Sequence, residues 1–258
     1  MIFNFPKRIM IFLIKSNIYL FLFFFQQQSY ADSDAKLSVG GTVNFNYQAY
    51  KNHRNDPNIT FKPVFFYDND KVYAEGEEVG VYLFEDDSHE LRINAYYDGT
   101  QFNPKDNDYH HLKKRNWSIM AGASYMYVTP YGGFKIQTGS DILARSHGTV
   151  ITTSYLAELK SGKWTWYPEL GINWNNKKYN QYYYGVTEDE SRLSGVSQYK
   201  PKSSFNPYLS LNSSYFINDR WNIILGVDVN YLTNQMFNSP LVDNRFDVEP
   251  FIGALYQF

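Results

Sequence analysis

The chain has 258 residues, with 24 Lys and Arg against 26 Asp and Glu, 24 Tyr, 20 Phe, 5 Trp and no Cys. The lack of cysteine excludes a disulfide framework or a thiolate metal site, and the slightly acidic balance argues against nucleic acid as a partner. A mean hydropathy of -0.48 beside 19% aromatic residues does not suit a soluble core built on Leu, Ile and Val; it fits a membrane barrel with aromatic girdles and a wet interior.

The N-terminus reads as an export signal. Lys7, Arg8 and Lys15 form a positive region, Ile18 to Phe25 an apolar one, and Ser29-Tyr30-Ala31 a small-x-small cleavage site. Residues 1–31 are expected to be removed before Asp32, with a cut after Ala35 as the alternative. The apolar run is too short for a spanning helix, which needs ~20 residues. Taking away those three basic residues leaves 24 − 3 = 21 Lys and Arg against 26 acidic residues, a formal −5.

From there the chain alternates apolar and polar residues with period two, the pattern of strands with two unlike faces. Leu37, Val39, Gly41, Val43, Phe45 and Tyr47 oppose Ser38, Thr42, Asn44 and Asn46. Trp164, Trp166, Pro168, Leu170, Ile172 and Trp174 oppose Thr165, Glu169 and Asn173. Trp221, Ile223, Leu225, Val227, Val229 and Tyr231 oppose Asn222, Asp228 and Asn230. Aromatics at strand ends with aliphatics between suit a strand crossing two membrane interfaces. The closing segment sets Phe246, Val248, Pro250, Ile252, Ala254, Tyr256 and Phe258 on one face. A last strand of this kind, ending on Phe, marks a bacterial outer-membrane barrel; Tyr256 and Phe258 are the expected signal to the barrel assembly machinery. A soluble β-sandwich also alternates, but has no need of this ending behind an export signal.

The prediction is therefore all-β: a transmembrane antiparallel β-barrel over 32–258, in contact with outer-membrane lipid and lipopolysaccharide. About twelve strands are expected, at 36–50, 59–68, 71–84, 89–97, 116–128, 131–144, 148–159, 164–174, 177–184, 206–216, 220–232 and 246–258. An even count puts both termini in the periplasm. Short periplasmic turns are expected at 69–70, 145–147, 175–176 and 218–219, and external loops at 51–58, 185–205 and 233–245. The long polar segment 98–115 falls on the periplasmic side in this count.

Little points to catalysis, and no cofactor is expected. His53, His89, His110, His111 and His147 all fall in or beside predicted turns, whereas a lipase of this architecture needs Ser and His together on the lipid face. His110-His111 with Asp106 and Asp108 is a metal cluster only by coincidence of a polar loop, so no metal site is expected. The acidic run Glu188-Asp189-Glu190 reads as a solvated loop, or as a divalent-cation contact among lipopolysaccharide. Lys62, Glu75, Arg92, Lys135, Asp141, Glu158, Glu169, Asp228, Asp247 and Glu249 face the lumen, where they either pair with one another or line a constricted pore.

The C-terminal third carries a family resemblance. Tyr179, Tyr183, Tyr184, Gly185 and Val186, then Ser194-Gly195 after an acidic stretch, then Tyr199, form one segment. Asp219-Arg220-Trp221 precedes the penultimate strand, and Ser239-Pro240-Leu241-Val242 the last. Pro63 to Tyr67 with Ala74-Glu75-Gly76 completes the pattern. This resembles the MipA/OmpV family of outer-membrane proteins. The resemblance implies a non-enzymatic scaffold linking a lytic murein transglycosylase and a peptidoglycan synthase in cell-wall growth; a small-solute channel or an adhesin is the alternative. On the scaffold reading, Tyr109, His110, His111, Lys113, Lys114 and Arg115 form a periplasmic docking element. The plainer reading of that segment is a mere connection.

Overall fold

The computed structural model describes residues 36–51, 58–104, 109 and 111–258. The expected export signal, His53, Asp106, Asp108 and His110 lie outside the described residues.

Thirteen strand segments run in chain order: β1 (Lys36–Asn46), β2 (Asn58–Asp68), β3 (Val72–Glu75), β4 (Glu78–Glu85), β5 (His89–Asp98), β6 (Ser118–Thr129), β7 (Gly132–Asp141), β8 (Thr149–Leu156), β9 (Leu159–Ser161), β10 (Trp164–Asn175), β11 (Ser204–Phe216), β12 (Trp221–Tyr231) and β13 (Phe246–Gln257). Both β8 and β9 pair with β10, one beyond the other, so they are one interrupted strand and the barrel has twelve. Every strand is antiparallel to its sequence neighbours. β13 returns to β1, with Ser38 opposite Gln257 and Asn44 opposite Phe251, and so closes the sheet. Closure joins the first strand to the last and so removes the two outer edges of the sheet.

The period-two faces fall as the sequence reads. Phe134, Ile136, Leu170, Ile172 and Leu209 are exposed on the outer face, while Asn94, Ser124, Gln137, Ser154, Thr165 and Ser210 are buried on the inner one. At the end that holds both termini, Trp164 meets Trp166 and Tyr215 at ring-centroid distances of 5.2 and 4.9 Å, and Tyr256 meets Trp221 and Phe258 at 5.1 and 4.9 Å. This is an aromatic girdle.

Two expectations are corrected, and they cancel in the count. Residues 71–84 are not one strand but the hairpin β3–β4, turning at Gly76-Glu77 with Gly76 at φ 62°. Glycine at the first central position is what a two-residue turn of type II′ requires. Residues 177–184 are not a strand but helix α1 (Lys177–Tyr184). With one strand gained early and one lost late, every connection between them changes ends. The described residues of segment 98–115, and the turns at 145–147 and 175–176, lie at the end away from Lys36 and Phe258, not beside them. The turns at 69–70 and 218–219 stay at the terminal end, and the long loops stay opposite.

Candidate functional site: a cap of loops above a charged lumen

Four connections meet at the end away from the termini and bury a core of their own: Ala49 and Tyr50; Phe102 and Leu112; Tyr179, Tyr183, Tyr184 and Val186; and Leu232, Met236, Leu241 and Val242. The family-motif residues build it. Asn176 caps α1, its side chain accepting from the Tyr179 amide at 2.9 Å. Tyr179 and Tyr183, four residues apart and so on one helix face, touch at 4.7 Å between ring centroids. Tyr184 stacks on Tyr50 at 5.5 Å. Tyr179 exchanges a hydrogen bond with the Thr100 hydroxyl at 2.9 Å. Gly185 ends α1, and Val186 pairs as an isolated bridge with Tyr199. Ser239, beside Pro240, donates its hydroxyl to the Tyr184 carbonyl at 2.7 Å. Burial pushes the Tyr50, Tyr179 and Tyr184 hydroxyls well above the usual tyrosine range, so they stay neutral.

Helix α2 (Glu188–Ser194) follows directly. Thr187 and Glu190 form a capping box, and Gly195 closes the helix in the left-handed conformation at φ 75°, which a side chain would strain. Glu190 is 2% exposed, against the expectation of a solvated acidic run. Its carboxylate accepts from the Thr187 amide at 3.0 Å, the Lys113 amide at 2.9 Å and the Arg115 guanidinium at 2.7 Å. Burial raises its pKa, but those amides and Arg115 outweigh it and hold the carboxyl at about 2. Arg115 also donates to the carbonyls of Lys113 and Gly185.

The expected docking element is thereby redistributed. Arg115 is buried in the cap and offers nothing to a partner, Tyr109 packs against the cap core, and of its described residues His111, Lys113 and Lys114 are exposed. The sequence did not single out Tyr50, Phe102, Leu112, Met236 or Glu190 as one cluster. The Thr187-x-x-Glu190 spacing was the legible signal; nothing local marks the pairing of Glu190 with Arg115.

Below the cap some of the lumen charges pair with one another, whereas Asp141, Glu169, Asp228 and Asp247 bond to hydroxyls or backbone amides. Arg92 lies between the rings of Tyr73 and Tyr82, 4.4 and 4.7 Å from their centroids, and bonds Glu90 at 2.6 Å and Glu75 at 3.3 Å. Glu78 accepts from Tyr73, Asn94 and Gln137. Lys62 bridges Glu77 and Glu249, each at 2.9 Å. Glu158 instead pairs with Lys160 near the terminal end. A cavity of about 720 Å³ remains, lined by Lys62, Glu77, Asp228, Asp247, Glu249, Asn173 and Tyr208, with Tyr50 of the cap among its walls. At the terminal end Phe258 donates its amide to the Leu37 carbonyl at 3.0 Å while its side chain is 78% exposed beside Tyr256.

Residues 37–258 match the family model described as MltA-interacting protein MipA. The chain is 33% identical over 231 residues to the MltA-interacting protein of Escherichia coli (strain K12), covering 88% of this chain and 92% of that one. It is 28% identical over 227 residues to the putative outer membrane protein YiaT of the same strain, covering 87% and 92%. Among solved structures, the outer membrane channel DcaP of Acinetobacter baumannii aligns at a TM-score of 0.39 with 8% identity, over 87% of this chain and 96% of that one. The chain is an outer-membrane barrel. In bacterial outer-membrane barrels the short turns are periplasmic and the longer loops external.

Proposed function

The chain belongs to the MltA-interacting protein MipA family, and on that premise we propose that it is a non-enzymatic scaffold of the outer membrane that holds a lytic murein transglycosylase, and with it a peptidoglycan synthase, near the cell wall. The observation that carries this is the 33% identity along 88% of the chain to a relative named for that interaction.

On this reading the gripping surface lies at the end of the barrel opposite the cap. The described residues Phe102, Leu112 and Arg115 of segment 98–115 are bound into the cap, away from a periplasmic enzyme. What faces the cell wall is the rim of short turns, where Tyr131 is 85% exposed and Ile217 and Arg220 are also exposed. Tyr and Arg are residue types enriched at interfaces. The test is capture of murein transglycosylase and synthase from envelope extract by three forms: wild type, the rim variant Tyr131→Ala/Ile217→Ala/Arg220→Ala, and a variant lacking residues 101–114. Capture lost only in the rim variant supports the scaffold and this surface. No capture by wild type overturns the reading. The polar cavity of about 720 Å³ favours a small-solute channel as the second reading.

A further inference from the structure

The barrel wall has a notch. β2 is paired with β1 along its whole length, from Asn46 opposite Asn58 to Lys36 opposite Asp68. On its other side it meets β3 only at Phe66, Tyr67 and Asp68. The β3–β4 hairpin turns at Gly76-Glu77, whose first amide reaches the Phe65 carbonyl at 3.0 Å. Beyond the hairpin tip β5 continues outward through Tyr97 and Asp98. No strand among the described residues fills the space between residues 58–64 of β2 and the end of β5. Seven residues are roughly 23 Å of strand at ~3.3 Å per residue.

The sequence is built for that open edge. The Phe65 carbonyl points at the hairpin, so Pro63, Phe61 and Ile59 turn their backbone groups the same way, into the notch. Proline has no amide hydrogen to leave unpaired there, and within sheets it belongs on an edge. Ile59 and Phe61 are exposed on the outer face, Phe61 at 72%, as apolar side chains that meet lipid tails are. An open edge among lipid tails is tolerated only where it lines a wet cavity. The lumen cavity supplies one: Thr60, Phe61 and Pro63 from one side of the notch and Tyr97, Thr100 and Gln101 from the other all line it.

The charge of that cavity sets what fits. Glu77, Asp228, Asp247 and Glu249 stand against Lys62 alone, and Lys62 is already bound to Glu77 and Glu249. Four carboxylates against one ammonium leave the lining net negative, which suits a cation, while Ile59 and Phe61 suit an apolar tail. We propose that the notch is a lateral port through which a cationic amphiphile passes from the outer leaflet, seating its head group by Asp228 and Glu249 and leaving its chain against Ile59 and Phe61. The cap of loops then closes the axial route while the side of the barrel stays open.

The probe is dodecyltrimethylammonium below its micelle concentration, titrated into the full barrel in zwitterionic nanodiscs, with empty nanodiscs subtracted. Dodecanoate and tetramethylammonium are the matched controls. The expected result is saturable one-to-one binding of the probe, at least tenfold weaker in Asp228→Asn/Glu249→Gln and at least tenfold weaker for either control. Because the chain has no cysteine, Phe61→Cys takes a bulky maleimide at the lip alone, and the label should slow association at least tenfold. The same label at Leu170→Cys, exposed on the far wall, should leave the rate unchanged. Equal binding of dodecanoate, equal binding of tetramethylammonium, or an association rate indifferent to the Phe61→Cys label overturns the port. The labelling arm keeps the test decisive if the double variant fails to fold.

Discussion

At the scale of single residues, Glu190 ties the cap together. One carboxylate joins the start of α2 to Lys113 and Arg115, some 75 positions earlier in the chain, with its pKa brought from 4.5 to about 2. At 1.36 kcal/mol per unit, that shift is worth about 3 kcal/mol to the closed cap. The folded-state pKa is depressed, so this stability is fully present above about pH 4.5 and is lost as pH falls toward 2. Glu190→Gln should therefore speed hydrogen exchange of the Thr187 and Lys113 amides on the order of a hundredfold at pH 6. The difference between variant and wild type should shrink through pH 4 to 3 and be gone at pH 2. A difference that persists unchanged at pH 2 would mean that the charge of Glu190 is not what holds these loops.

At the scale of elements, the two faces of a strand should respond differently to the same substitution. Val227 stands on the lipid side of β12 and Asp228 on the cavity side, bonded to Ser210. Arginine on the lipid face near the midplane of a barrel costs about 2–4 kcal/mol. Val227→Arg should lower stability by that much in reversible urea unfolding into lipid, and Asp228→Arg by clearly less; equal losses would reverse the face assignment. The strands were legible because lipid and lumen write alternate residues into them. The elements that break the period were not. Tyr182-Tyr183-Tyr184 has the composition of a strand, and only the Asn176 cap and the four-residue spacing of Tyr179 and Tyr183 betray α1. Gly76 marked the hairpin, but the apolar run on both sides of it masked the turn. The cap core was beyond reach of sequence, because Tyr50, Phe102, Tyr184 and Leu241 come together only once the barrel has brought four loops to one end. For the notch, Pro63 is the one local mark, since proline belongs on a sheet edge, and nothing local says where its missing neighbour stops.

At the scale of the whole molecule, closure and capping are separate events, and each is testable. The barrel closes through β1 and β13, whose partners lie at opposite ends of the described chain, and the last rung is the Phe258 amide on Leu37. Deleting Phe258 removes that rung and the aromatic that packs on Tyr256. The expected outcome is a several-fold drop in heat-modifiable, outer-membrane-inserted protein in the membrane fraction, and undiminished insertion would count against Tyr256 and Phe258 as an assembly signal.

Capping decides conduction. Twelve strands enclose more room than an eight-stranded barrel filled by side chains, and the cavity of about 720 Å³ is part of it. Above that cavity, Tyr50 is stacked on Tyr184 and bridged to Val242, and α1 is pinned to Asn116 through Tyr182 and Tyr183. An axial pore would require these contacts to part together. In planar bilayers the wild type should show no steady axial conductance at pH 7. A variant with residues 177–203 replaced by a short Gly-Ser linker should show long-lived ohmic steps, because α1, α2 and Glu190 leave together while the register of β10 with β11 is kept. Lowering the pH of the outer bath toward 2 should bring wild type toward that behaviour, and Glu190→Gln, with no carboxylate to titrate, should lean toward it already at pH 7. Stable ohmic steps from wild type at pH 7 would make the capped end a pore entrance and shift the balance from scaffold to channel.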